Sequence, residues 1–141
     1  MSRYLLDTGI AGLYVARRDS VYARARDEAR RGNVIGICVP VLGELYYGAE
    51  NSASRDRALR ELRVALPSLR IWPFDQACAE EYGRVAAELR RIGRPMQQID
   101  IQIAAIALTL GNCTVVTTDS DLAAVPGLRT ENWAAPAPLA P

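Results

Sequence analysis

The sequence predicts an α/β fold, with a short and mostly parallel sheet covered by helices on both faces. Short apolar runs alternate with longer amphipathic ones along nearly all of the 141 residues. The runs are apolar throughout, without polar alternation, which is the pattern of strands buried on both sides. One long stretch, residues 99–110, is apolar almost all round, as a helix at the centre of a domain is.

Each element has a local reason. Tyr4-Leu5-Leu6 is a first short strand, followed by a helix over residues 9–16 and a second over 20–31, ended by Gly32-Asn33. Residues 34–39 are β-branched and apolar, a buried strand, and Pro40 suits the first turn of a helix through Gly48. Residues 54–66 form a helix that must stop before Pro67, and residues 69–72 are a third strand. Over residues 76–92, Cys78, Tyr82, Val85, Ala86 and Leu89 fall at i, i+4, i+7, i+8 and i+11, one apolar stripe. Gly93-Arg94-Pro95 breaks that helix, Gly111-Asn112 ends the central one, and residues 114–117 are a fourth strand. Pro126-Gly127 leads into a last strand over about 128–131. The folded domain is expected over residues 1–133, with the Ala/Pro run 134–141 as a flexible tail.

Composition narrows the chemistry. There is no histidine, hence no Ser-His-Asp or Cys-His nucleophile and no His-ligated zinc. All 17 basic residues are Arg, which excludes Walker-type phosphate loops and Schiff-base lysines. Cys38, Cys78 and Cys113 are far apart, lack CxxC spacing and sit among apolar neighbours, so they read as buried thiols in a reducing compartment. Net charge is +1, too little for a global field toward nucleic acid or an anionic membrane. No signal-peptide region and no apolar run near ~18 residues is visible, so a cytoplasmic protein without membrane contact is expected. Any hydrolysis must run on carboxylates, hydroxyls, Arg and a hard metal ion.

In doubly wound sheets the site lies at the carboxyl ends of the strands. Asp7 follows the first strand in LLDTG, and Asp119 follows the fourth in VVTTDSD. If those strands are neighbours, both carboxylates enter one crevice. Glu44 lies one helical turn beyond the second strand, among Val41, Leu42, Leu45, Tyr46 and Tyr47, an oddly apolar place for an acid. Asp100 opens the most hydrophobic helix. Each acid alone has an ordinary explanation: a helix start for Asp100, loop acids or caps for Asp7 and Asp119, a surface residue for Glu44. Four acids at one edge weaken those explanations jointly, because close like charges repel and raise one another's pKa unless a cation neutralises them. Carboxylates without His or Cys suit Mg²⁺ or Mn²⁺. Asp121 is a further candidate, as a ligand or as support for one.

LLDTG, ELYYGA, IDIQIAAIAL and VTTDSDL, followed by VPGLRTENW, resemble in that order the PIN domain, and more narrowly the VapC-type ribonuclease toxins of bacterial toxin–antitoxin pairs. The resemblance covers about residues 3–133. It implies a three-layer α/β/α sandwich and metal-site roles for Asp7, Glu44, Asp100 and Asp119, with Thr8 and Thr117 at the family's neighbouring polar positions. One departure stands out: the usual Asp-Thr-Asn is Asp7-Thr8-Gly9 here, which removes an amide side chain beside the first acid.

The expected function is a Mg²⁺- or Mn²⁺-dependent endoribonuclease. Asp7, Asp100 and Asp119 would hold the ion, and Glu44 a second ion or the attacking water. The resemblance implies 5′-phosphate and 3′-hydroxyl products, a cognate antitoxin and a homodimer. Arg84, Arg90, Arg91 and Arg94 are the candidates for the RNA backbone. So small a net charge favours structured tRNA or rRNA over bulk RNA. Leu13, Tyr14, Tyr46 and Tyr47 are candidates for an apolar groove that takes the antitoxin's helix. Two alternatives stay open. One is a PIN-like nuclease acting on DNA, or a non-catalytic partner of a DNA-binding repressor; the other is a binding module whose acids are structural.

Overall fold

Five strands form a single sheet: β1 (Arg3–Leu6), β2 (Val34–Cys38), β3 (Arg70–Trp72), β4 (Cys113–Val116) and β5 (Arg129–Glu131). Their order is β3-β2-β1-β4-β5 and every pairing is parallel. The computed structural model describes residues 1–134, so all but the first residue of the expected Ala/Pro tail lies outside the described residues. β1, β2 and β4 are buried along nearly their whole length, which is why their sequences are unbroken apolar runs.

The helices that cover the sheet are α1 (Thr8–Val15), α2 (Asp19–Arg30), α3 (Val39–Glu50), α4 (Arg55–Ala65), α5 (Gln76–Arg91), α6 (Gln98–Leu110) and α7 (Ser120–Ala123). The architecture is the α/β/α sandwich the sequence predicts. α6 buries Ile101, Ile103, Ala104, Ala105, Ile106 and Ala107, on all sides of the helix. Against it lies α5, whose stripe is buried at Cys78, Val85 and Leu89 and half-buried at Tyr82 and Ala86. All three cysteines are buried and free. Burial pushes the thiols of Cys38 and Cys113 up to about 11, which leaves them protonated and inert at neutral pH. Among the described residues no helix is long and apolar enough to cross a membrane.

Element boundaries differ from the sequence reading where capping decides them. α1 starts at Thr8 because the Asp7 carboxylate accepts the Ile10 N–H at 2.9 Å. β2 stops at Cys38 because Val39 already opens α3, whose first turn takes Pro40. The short helix α7, which the sequence did not suggest, is capped by Asp119, whose carboxylate accepts the Asp121 N–H at 2.8 Å. Around Pro67 the chain tightens into a 3₁₀ turn, Leu66–Ser68.

The approach of β3 to β2 depends on one residue. Gly36 pairs with Arg70, and a Cβ at Gly36 would run into the Arg70 carbonyl and come within 2.7 Å of the Trp72 ring. Neither neighbour is a flexible chain end, so β3 would have to move. Gly36→Ala is expected to destabilise the fold by about 1–3 kcal/mol, the range for overpacking a buried site. A urea melt checks it, and an unchanged midpoint would refute the close-packing argument.

Candidate active site

β1 and β4 are neighbours, and their register fixes what leaves the sheet between them. Leu6 pairs with Val116, so Asp7 and Thr117 emerge side by side at the carboxyl edge. The Asp7 N–H donates to the Val116 carbonyl at 3.0 Å and the Thr117 N–H to the Glu131 carbonyl at 2.9 Å, which holds both backbones in place. The strand order also reverses here: the chain steps outward from β1 through β2 to β3, then resumes on the other side with β4. That reversal is where an open α/β sheet leaves a crevice.

Thr117 is buried, and its hydroxyl joins the two acids. It accepts the Asp119 N–H at 2.9 Å and hydrogen-bonds the Asp7 carboxylate. Asp7 is itself half-buried, and its carboxyl is pushed above the ordinary range, mainly by burial. The hydrogen bonds from Thr117 and the Ile10 N–H pull it back, and the charge of Asp119 adds to the rise. Asp100, in the first turn of α6, is also pushed up, by burial first and then by the charges of Asp119, Asp7 and Asp121. Four aspartates from three separate stretches of chain therefore share one electrostatic neighbourhood. None of the charges that act most strongly on Asp7 and Asp100 is an Arg.

Glu44 is placed differently from the sequence expectation. α3 buries an arc of Val41, Leu42, Leu45 and Ala49, with Glu44 exposed at its margin and Tyr46 and Tyr47 exposed as well. At 3.6 residues per turn, apolar sequence neighbours of Glu44 point to other faces of the helix. The charge of Glu44 is not among those acting on Asp7 or Asp100. Instead Glu44 lines two concavities. One, of about 340 Å³, runs between α1, α3 and α4 and includes Thr8, Gly12, Gly48 and Leu62. The other, of about 770 Å³, includes Phe74 and Gln98. The structure thus links Asp7 and Asp119 through Thr117, sets Asp100 within the field of Asp119, Asp7 and Asp121, and leaves Glu44 on the walls of two concavities, one of them with Thr8.

Away from the acids, the candidate groove and RNA-binding residues divide. Tyr14 belongs to the core: it is buried, its ring lies 5.4 Å from that of Tyr22, and its hydroxyl pairs with Ser68. It lines a small concavity of about 210 Å³ with Tyr22 and Ser68, not the one between α1, α3 and α4, and Leu13 is half-buried. Arg84 is held on its own helix by Glu81 and, at 3.1 Å, by Glu88. Arg90 and Arg91, in the last turn of α5, and Arg94 beyond it are exposed. The larger cavity has walls of Phe74, Gln97, Gln98 and Gln102, none of which the sequence reading singled out. Their only signal was position, since Phe74 follows the third strand and the glutamines flank Asp100.

The donors at the β1/β4 edge are carboxylate and hydroxyl oxygens, the type that hard divalent ions take. Among the described residues, no three His, Cys, Asp or Glu side chains form a group that could hold an ion as they stand. The aspartates interact as charges without forming a closed cage. In donor chemistry, Asp7, Asp100, Asp119 and Asp121 are the residues that fit a cation. The departure at Gly9 leaves space: a Cβ there meets only an Asp7 carboxylate oxygen, at an ordinary 3.9 Å. Gly9→Ala is expected to stabilise the fold by about 0.5–1 kcal/mol through the lower entropy of the unfolded chain. Equilibrium denaturation reads this, and a destabilised variant would show that the first turn of α1 needs glycine.

The chain is similar to known proteins along nearly all of its length. The family profile of the PIN domain matches residues 4–128. The tRNA(fMet)-specific endonuclease VapC of Shigella flexneri is 32% identical over 133 residues, 94% of this chain and 99% of its own length. Ribonuclease VapC2 of Haemophilus influenzae is 34% identical with the same coverage. Among solved structures, VapBC2 from Rickettsia felis bound to a DNA fragment from its promoter matches with a TM-score of 0.86 at 32% identity, covering 93% of this chain and 98% of that one. DNA-bound VapBC from Salmonella typhimurium gives 0.85 at 30% identity, covering 94% and 99%. Profile match, sequence identity and fold agree over nearly the full length, and the chain belongs to the PIN-domain family, to its VapC group.

Proposed function

We propose that this protein is an endoribonuclease toxin of a toxin–antitoxin pair, dependent on Mg²⁺ or Mn²⁺ and acting on structured RNA. One observation carries the reading: Asp7 and Asp100 sit at a sheet edge where burial and neighbouring aspartates both disfavour their charges. A purely structural role gives no reason to gather like charges, whereas a bound hard cation does. When bound, such an ion polarises a phosphodiester oxygen and lowers the pKa of a water molecule.

The chain's own contributions follow from position. Asp7, Asp100 and Asp119 supply negative charge to one electrostatic neighbourhood, which Asp121 joins, and Thr117 hydrogen-bonds both Asp7 and the Asp119 backbone. Glu44, on the adjoining wall, accepts a hydrogen bond from the attacking water or serves a second ion. In-line attack by that water breaks the bond to the 3′ oxygen, giving 5′-phosphate and 3′-hydroxyl ends. No side-chain nucleophile is needed, in keeping with a chain that has no histidine. Arg90, Arg91 and Arg94 contact the RNA backbone. The Shigella relative's name points to tRNA as the substrate class.

The VapBC complexes among the structural neighbours support an antitoxin partner. Its helix would lie in the apolar concavity between α1, α3 and α4, beside the exposed Tyr46 and Tyr47. A cytoplasmic homodimer completes the reading. The competing reading is a PIN-like nuclease acting on DNA or a non-catalytic partner of a DNA-binding repressor, and both neighbours are complexes bound to DNA.

The test is a panel of matched RNA and DNA oligomers with Mg²⁺, Mn²⁺ or EDTA, together with a tRNA. RNA is expected to be cut only with added metal, EDTA to abolish cutting, and the ion to raise the melting temperature. Undiminished cutting in EDTA after trace metals are removed overturns the metal-dependent mechanism, and cutting of DNA but not RNA overturns the substrate.

A further inference from the structure

The cavity of about 770 Å³ shares Glu44 with the proposed nuclease site, but the rest of its lining has no part in attacking a phosphodiester. Its walls come from three distant segments that the topology gathers at one sheet edge. Cys38 pairs with Trp72, so the start of α3 and the link after β3 leave the sheet together. The start of α6 closes the third side, with Gln97, Gln98 and Ile99 just ahead of Asp100 and with Gln102. The volume falls within the ~300–1,000 Å³ of pockets that take small organic groups.

The lining decides which group fits. No Arg lines the cavity, and its one charged residue is Glu44, so a phosphate would be repelled. Gln97, Gln98 and Gln102 bring three neutral amides, each with two donor hydrogens and an acceptor oxygen. Phe74 brings an aromatic ring, held edge-on against Tyr82 with centroids 6.1 Å apart. An aromatic surface for a flat face, with amides for a polar edge, is the composition that recognises an unstacked nucleobase.

We propose that this cavity is a nucleobase subsite: it takes one unstacked base next to the scissile phosphodiester, with Phe74 against the base's face and Gln98 and Gln102 reading its edge. The proposal rests on the nuclease reading above and adds to it a choice of base at a single-stranded position. Gln97, also on the cavity wall, lies three residues before Asp100 and its carbonyl accepts the Asp100 N–H at 3.1 Å, and Glu44 shares the same wall, so a base held there keeps its own backbone near the carboxylates. Selectivity then comes from neutral contacts, as suits a chain with a net charge of only +1.

The experiment uses the full chain and short fluorescent oligoribonucleotides: runs of A, of C and of U, and an alternating GU sequence. Binding is read by anisotropy in Ca²⁺, and cleavage of the same oligomers in Mg²⁺ is read separately. The wild type is expected to prefer one oligomer by roughly ten-fold or more, the scale of a well-placed amide hydrogen-bonding to a base edge. Gln98→Ala combined with Gln102→Ala should make the affinities nearly equal. Phe74→Leu, which keeps apolar volume against Tyr82, should weaken every oligomer by roughly ten-fold, the scale of removing one base–aromatic stack. Should Phe74→Leu unfold, Gln98→Ala alone carries the test, because its side chain is exposed. Equal binding of all four oligomers by the wild type, or a ranking that survives the glutamine changes, overturns the subsite. The nuclease reading fails independently, through absent cleavage, and a base preference that persists without cleavage leaves the subsite standing.

Discussion

Asp7→Asn and Asp100→Asn are each expected to cut RNA cleavage by roughly 10²-fold or more, the scale of lost metal or base positioning, and yet to melt at higher temperature. The two effects share one cause. Both carboxyls are pushed up in the folded chain, by burial first and by neighbouring aspartates after it. An acid whose pKa is higher folded than unfolded binds its proton more tightly in the native state, so stability falls as pH rises from the unfolded value through the folded one. At neutral pH and without metal, the wild type carries that whole penalty and an Asn variant lacks it. Below about pH 4, the ordinary range of an Asp, the difference should vanish. Asn still accepts the Ile10 N–H, so the cap on α1 survives in Asp7→Asn. Melting curves in EDTA across acidic to neutral pH, paired with cleavage in Mg²⁺ and growth arrest on expression without an antitoxin, check both halves. Variants that melt lower at neutral pH and remain active would make these acids structural.

Much of this arrangement was legible in the sequence because it depends on local rules. Parallel strands buried on both faces must be apolar throughout, so β1, β2 and β4 announced themselves, and their ends placed Asp7 and Asp119 at one edge. A helix buried all round must be apolar all round, and α6 is. Pairwise register was not legible. That Thr117 bridges Asp7 and Asp119 requires Leu6 to face Val116, and that Gly36 admits no side chain requires it to face Arg70. Helix faces misled where sequence neighbours were taken for spatial ones. Glu44 has Leu45, Tyr46 and Tyr47 beside it in sequence, but the apolar arc of α3 turns away and leaves the acid exposed. Tyr14 differs the other way: it is buried with its hydroxyl paired to Ser68, and lines a small concavity apart from the one between α1, α3 and α4. The cavity at Phe74 was the least visible feature, since segments more than twenty residues apart build it and none carries a motif.

Glu44→Gln is expected to lower cleavage by roughly 10²-fold or more while leaving the melting temperature where it is, a combination the aspartate variants cannot give. Glu44 is exposed, and its charge is not among those acting on Asp7 or Asp100, so removing it relieves no repulsion that folding imposes. Its place on the walls of both concavities suits it to orient a water molecule or to serve an ion from the side. RNA affinity should hold or tighten, because a negative charge near phosphates has gone. Arg91→Ala should do the reverse, weakening binding and flattening its salt dependence by about 0.7 in log–log slope for each single-strand phosphate the arginine neutralised. Single-turnover cleavage in Mg²⁺, anisotropy over a salt series in Ca²⁺ and melting curves separate these outcomes. If Glu44→Gln loses affinity in step with rate, Glu44 grips the RNA, and if it melts higher as the aspartate variants should, Glu44 belongs to the charged cluster after all.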